Sequence, residues 1–338
     1  MKNLLTLCLL LFGASMAAQA SDSSSYFYQK GLEEKSARRY LVASGYFDKA
    51  IKLNPNYTEA YIEDGYMNLE MRKTDAALGR FVKAYELDPG NATAGKELMD
   101  LYFSYHQYQN AIDFAQKCKT CPNADRITAL SYFKLEDYAT AEKLLIKLLK
   151  ANPADAELTY TLGRGYLEME LEAKAIPYYA KAVQLDPSKT AWLAELGLLY
   201  YNTNDFKNAV ITFNKALEKG YPPGNDFNEN LGYAYIYSGE YEKGEKILLG
   251  IADKKKGNKD IYRDLAQAYY DQKQYDKSLE FCQKLMEMDM KDGKALYQAG
   301  LCFQKKGQTE RGQQMCDKAI ELDPSLASMR QKKMTVGL

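Results

Sequence analysis

Small residues punctuate this chain at a regular interval. They fall at two positions twelve apart, and the pair returns about every 34 residues. The phrases Leu53-Asn54-Pro55, Leu87-Asp88-Pro89, Leu185-Asp186-Pro187 and Leu322-Asp323-Pro324 set the register. It divides the sequence into nine repeats beginning at 24, 58, 92, 122, 156, 190, 225, 259 and 293. The eighth residue of each is Gly31, Gly65, Met99, Ala129, Gly163, Gly197, Gly232, Ala266 and Gly300. The twentieth is Ala43, Ala77, Ala111, Ala141, Ala175, Ala209, Gly244, Ser278 and Gly312. Each repeat therefore predicts two amphipathic helices, A and B, that approach closely where the small residues meet. Turn pairs such as Thr74-Asp75, Asn204-Asp205 and Gly239-Glu240 divide A from B, and the proline near the end of most repeats stops helix B.

Two larger positions complete the pattern. The eleventh residue is aromatic in the last seven repeats (Tyr102, Tyr132, Tyr166, Tyr200, Tyr235, Tyr269, Phe303), with Glu34 and Asn68 departing in the first two. The twenty-fourth is Phe47, Phe81, Leu145, Tyr179, Phe213 or Leu248 in six repeats. These side chains fill the space around the small-residue contact. The arrangement resembles the tetratricopeptide repeat family over about residues 24–324. The resemblance implies an all-α fold. It is an α-solenoid of about nine helix-turn-helix repeats in a right-handed superhelix, with the A helices lining a concave groove. One repeat cannot bury its own apolar face, but stacked neighbours bury a continuous core. Residues 325–338 read as a C-terminal capping helix.

Departures locate irregular segments. The third repeat has only 30 residues and carries Met99 in place of a small residue, so its second helix ends early, near Cys121-Pro122. Gly220-Tyr221-Pro222-Pro223-Gly224 links the sixth and seventh repeats and is not helical throughout; it is either a hinge or a rigid connector. Asp253-Lys254-Lys255-Lys256-Gly257 replaces a proline turn and reads as a solvated loop or a basic patch.

Met1-Lys2-Asn3, the apolar run Leu4–Phe12 and Ala18-Gln19-Ala20 form the three parts of a secretory leader. Residues 1–20 are expected to be a cleaved signal peptide, with an uncleaved anchor as the alternative. The mature chain would then begin at Ser21. That places the protein outside the cytoplasm, in a bacterial periplasm or cell envelope, with no integral membrane segment after cleavage. Lys+Arg and Asp+Glu number 45 each, which argues against a nucleic-acid partner.

Little in the chain offers chemistry. The one histidine, His106, sits in an inter-helix turn with no nucleophile placed beside it. No catalytic set, metal site or cofactor is expected, and the repeats leave no room for an enzyme domain. Cys118-Lys119-Thr120-Cys121 lies at the end of a B helix, where the dipole opposes thiolate formation. In an exported protein these two suit a local disulfide that needs an unwound last turn. Cys282, Cys302 and Cys316 read as buried small hydrophobes, although Cys282 and Cys302 lie on neighbouring helices and could pair.

A binding surface is the stronger signal. Residues five, nine and twelve of helix A share one stripe, because i, i+4 and i+7 lie on one face. The twelfth residues Leu69, Phe103, Phe133, Leu167, Tyr201, Ile236 and Tyr270, the ninth residues Tyr66, Arg164 and Tyr233, and the fifth residue Tyr160 are the candidate groove. An aromatic groove of this kind suits an extended peptide or a partner helix, so a non-catalytic scaffold is the first reading. Recognition of glycan or cell wall by the same rings is the alternative, and end-to-end self-association of terminal repeats is a further one. The two-carboxylate clamp known in the family is not expected, since Lys96 is followed by Asp100 at the ninth position.

Overall fold

The computed structural model describes residues 23–118, 121–253 and 259–329. The predicted leader, the basic run after Asp253 and most of the predicted C-terminal cap lie outside the described residues. Among those described there are helices and no strand. The chain divides after Met169 into two compact bodies. The first holds α1 (23–36), α2 (Tyr40–Leu53), α3 (Thr58–Glu70), α4 (Thr74–Leu87), α5 (Ala92–Ser104), α6 (Tyr108–Lys117), α7 (Ala124–Lys134), α8 (Tyr138–Ala151) and α9 (Ala156–Glu168). The second holds α10 (Glu172–Leu185), α11 (Thr190–Asn202), α12 (Phe206–Glu218), α13 (Asn225–Ser238) and α14 (Tyr241–Ala252). It continues with α15 (Asp260–Asp271), α16 (Tyr275–Met288), α17 (Gly293–Lys305), α18 (Thr309–Leu322) and a 3-10 turn at Pro324–Leu326. Odd-numbered helices are the A helices and even-numbered ones the B helices. The fold is an α-solenoid of helix-turn-helix repeats.

One backbone feature ends every A helix. The fifteenth residue of all nine repeats is left-handed: Arg38, Arg72, His106, Glu136, Glu170, Asn204, Gly239, Lys273 and Gly307. A left-handed residue reverses the chain so that helix B can fold back on helix A. This corrects the turn expected at Thr74-Asp75. Thr74 is already the first residue of α4, and Arg72 makes the turn. His106 is likewise an exposed turn residue with a backbone role. Helix starts are fixed by short acidic or amide caps where the sequence supplies them. The Asn91 side chain accepts from the Ala94 amide at 3.0 Å, and Asp155 accepts from Leu158 at 2.9 Å.

Within each body the A and B helices of a repeat pack as the small positions require. A β-carbon on Gly65 would lie 2.8 Å from the Phe81 ring, and one on Gly197 would lie 2.6 Å from Phe213. The eighth and twenty-fourth positions are thus a fitted pair. The third repeat reverses the fit: Met99 is fully buried against Ala115, its twenty-fourth residue. Repeat four uses a third combination, Ala129 with Leu145, both buried. Met99 is therefore the large half of a swapped pair.

The short third repeat is closed by a disulfide. The last residue of α6 is Lys117, Cys118 leaves the helix (φ −89°, ψ 82°), and Cys118 bonds Cys121 across a Cα separation of 5.4 Å. The bridge lies on α5, where a β-carbon on Gly95 would stand 2.3 Å from the Cys121 sulfur. Between α12 and α13 the connector is non-helical from Tyr221 to Gly224 and is tied down at Tyr221. The Tyr221 amide donates to the Ala216 carbonyl at 2.9 Å, and the Tyr221 ring packs 5.1 Å from Phe227. At the C-terminal end, Leu326 is buried against Tyr297, Cys316 and Ala319. No helix among the described residues is long and apolar enough to cross a membrane.

Candidate functional site

Successive A helices touch within each body, α5 on α7 and α7 on α9 in the first, then α11 on α13, α13 on α15 and α15 on α17 in the second. The predicted stripe therefore forms two faces, one per body.

In the first body the face gathers Tyr66 and Leu69 on α3, Phe103 on α5, Phe133 on α7, and Tyr160, Arg164 and Leu167 on α9. All are half-buried. Tyr66 reaches across to α5, its hydroxyl donating to Glu97 at 3.3 Å. Burial, helped by the Glu97 charge, pushes the Tyr66 phenol up to about 12. The Lys35 ammonium lies 5.4 Å from the Tyr66 ring centre and pairs with Glu63 at 2.5 Å. The Arg164 guanidinium sits 5.9 Å from the Phe133 ring and pairs with Glu168 at 3.0 Å. Lys96 is spent on Asp100 at 2.8 Å and Glu97 at 3.3 Å.

In the second body the face gathers Tyr201 on α11, Tyr233, Ile236 and Tyr237 on α13, and Tyr270 on α15. Tyr233 repeats the bond made by Tyr66, donating to Asp264 of the next A helix at 3.1 Å. Burial first, and then Asp264, lifts Tyr233 well above the usual phenol range and also raises Tyr201. Tyr237 is pushed up to about 12 by burial and by Asp271. Two candidates are core. Ile236 has no exposed surface and Tyr233 keeps only 8 %. The cause is Gly244: a β-carbon there would lie 2.8 Å from Ile236, so the isoleucine drops into the space that glycine leaves. Ile236 is thus corrected from a groove contact to a packing residue.

The structure adds a position that the stripe omitted. The seventeenth residue, first in helix B, braces the twelfth. Ring centres lie 5.5 Å apart for Phe103–Tyr108, and 5.6 Å for Phe133–Tyr138, Tyr201–Phe206 and Tyr270–Tyr275, all edge to face. Phe206 also stacks on Tyr237 at 4.8 Å. The signal was available in the sequence, since Tyr40, Tyr108, Tyr138, Phe206, Tyr241 and Tyr275 recur at that position.

Cys282, Cys302 and Cys316 are buried thiols outside any disulfide, and Cys302 contacts the Ser278 hydroxyl at 3.1 Å. Burial pushes the Cys282 thiol up to about 12, the opposite of what a nucleophile needs. Among the described residues no group of three or more His, Cys, Asp or Glu is placed to hold a metal ion.

Family profiles described as tetratricopeptide repeats match residues 128–190, 160–225 and 229–293, and a further one matches 293–326. Together they span more than half of the chain. The chain belongs to the tetratricopeptide repeat family. Tetratricopeptide repeat proteins mediate protein–protein interaction. This tetratricopeptide chain is 25 % identical over 193 residues to DnaJ protein P58IPK homolog A of Oryza sativa subsp. japonica, a match covering 52 % of the chain and 40 % of that protein. It is 29 % identical over 160 residues to Protein O-mannosyl-transferase TMTC1 of Homo sapiens, covering 47 % of the chain and 18 % of that protein. The chain therefore spans less than half the length of these relatives. Among solved structures, the C-terminal part of a TPR repeat-containing protein from Cytophaga hutchinsonii aligns with a TM-score of 0.51 at 16 % identity. That alignment covers 80 % of this chain and 98 % of that one, a likeness of fold alone.

Proposed function

We propose that the protein is a non-catalytic scaffold that holds an extended peptide or a helix of a partner protein on the aromatic faces of its A helices. The observation that carries the reading is the braced ring pair. Phe103, Phe133, Tyr201 and Tyr270 stay half-buried, each fixed by an aromatic at the start of helix B. Rings already immobilised lose little side-chain entropy when a partner covers them, which favours binding. The protein-binding role general to tetratricopeptide repeats favours a peptide over the glycan alternative. Export is part of the same proposal. It rests on the leader-like residues 1–20 and on the Cys118–Cys121 disulfide, which suits an oxidising compartment.

The test is selection of a displayed random peptide library on the purified protein. Enriched peptides should bind wild type and lose at least tenfold in affinity on Phe133→Ser or Tyr201→Ser, with helicity unchanged by circular dichroism. Binding that survives both substitutions would overturn the reading.

A further inference from the structure

The A-helix faces of the two bodies differ in how their carboxylates are neutralised. In the first body Glu63, Glu97, Asp100 and Glu168 each face a lysine or arginine of the same body at 3.3 Å or less. In the second, Asp264 and Asp271 stand seven residues apart on one side of α15, both exposed. Asp264 accepts from the Tyr233 hydroxyl at 3.1 Å, and Asp271 accepts from the Gln267 amide at 2.8 Å. Neither has a cationic side chain within ion-pairing distance among the described residues. Asp264 is felt by three phenols at once, Tyr201, Tyr233 and Tyr237. Phe206 packs on both Tyr201 and Tyr237, Asp264 is hydrogen-bonded to Tyr233 on the Tyr237 helix, and Asp271 follows Tyr270 in the chain, so rings and carboxylates share this face; Asp271 also raises Tyr237.

A half-buried aromatic surface with uncompensated negative charge is complementary to a cation carried on an apolar stem. Ring faces attract ammonium and guanidinium groups, carboxylates add charge-assisted hydrogen bonds, and tyrosines cover the methylenes. A glutamate or aspartate in the same place would be repelled. We propose that this face of the second body takes a lysine- or arginine-bearing segment of the partner, its cationic head seated among Tyr201, Tyr237 and Tyr270 and paired with Asp264 and Asp271. The proposal rests on the peptide-binding reading and adds the chemistry of the bound segment.

The test uses three fluorescein-labelled dodecapeptides with identical leucine and alanine positions and lysine, glutamine or glutamate at every third residue. Binding to the whole protein is read by fluorescence anisotropy. The lysine peptide should bind tightest and the glutamate peptide weakest. The double variant Asp264→Asn/Asp271→Asn should weaken the lysine peptide about three- to twentyfold, the loss expected for two exposed charge contacts, and leave the glutamine peptide unchanged. Raising salt from about 50 to about 500 mM should weaken the lysine peptide alone. Equal binding of the lysine and glutamine peptides, with no effect of the double variant, would overturn the cation assignment while leaving a peptide site in place. No binding of the lysine peptide to wild type would also overturn it, and the display selection then judges the peptide reading separately.

Discussion

Exchanging the large and small members of the Met99–Ala115 pair tests whether the eighth and twenty-fourth positions are one packing unit. Met99 has no exposed surface, so Met99→Ala should leave a cavity and cost about 2–5 kcal/mol. Ala115 is 8 % exposed and packs in the same cluster, so Ala115→Leu alone should overfill it at a cost of about 1–3 kcal/mol. The double variant recreates the Ala129–Leu145 pair of the next repeat, where the two residues are 0 % and 1 % exposed. It nearly conserves total side-chain volume. We expect the double variant to be more stable than the sum of the single losses predicts by about 2 kcal/mol, within the range for contacting residues. Urea unfolding followed by circular dichroism gives the total. Hydrogen exchange on α5 and α6 amides localises it, because repeat arrays open region by region. A coupling below about 0.5 kcal/mol would refute the fitted-pair argument, since independent sites simply add.

Gly95→Ala should destabilise by about 1–3 kcal/mol in urea, since its β-carbon would stand 2.3 Å from the Cys121 sulfur; an unchanged midpoint would mean the bridge does not lie on α5. Arg72→Gly and Lys273→Gly should each raise stability by up to about 1 kcal/mol in thermal melts, because both hold left-handed backbone that glycine adopts freely. Tyr66 and Tyr237 are raised to about 12, so their unfolded forms lose the proton first. The stability they contribute is intact below pH 10 and lost as pH rises from about 10 through 12. Absorbance at 295 nm should show a late tyrosinate step that coincides with loss of helix, and a single step near pH 10 with helix intact would contradict this.

The repeat register was legible because it is written in side-chain volume. Glycine or alanine at eight and twenty, with an aromatic at eleven, is a packing demand that every helix pair makes. The Cys118–Cys121 bridge was legible for a different reason, since two cysteines three apart at the end of a shortened repeat, in a chain with a leader-like start, suit a local disulfide. The inter-helix turns were less so. They depend on backbone sign, and arginine, histidine, glutamate and lysine take the left-handed position in six repeats without the usual glycine or asparagine signal. Met99 was visible as an exception, but its meaning required Ala115 to be read with it. The stripe was read from spacing alone, and spacing could not show that Gly244 would admit Ile236 to the core. Nor could it show that Asp264 and Asp271 would lack cations while Glu63 has one, since Lys35 reaches it from the preceding repeat.

The fitted pair also limits how such a chain can be rearranged. Breaking a repeat at its inter-helix turn and joining its first half to the second half of another would set Met99 against Phe81, or Gly65 against Ala115. The first crowds the interface and the second hollows it. A break at the proline turn between repeats keeps every pair with its own mate. Gene duplication and recombination within this array are therefore tolerated at one seam and penalised at the other, which makes the helix pair the smallest heritable module.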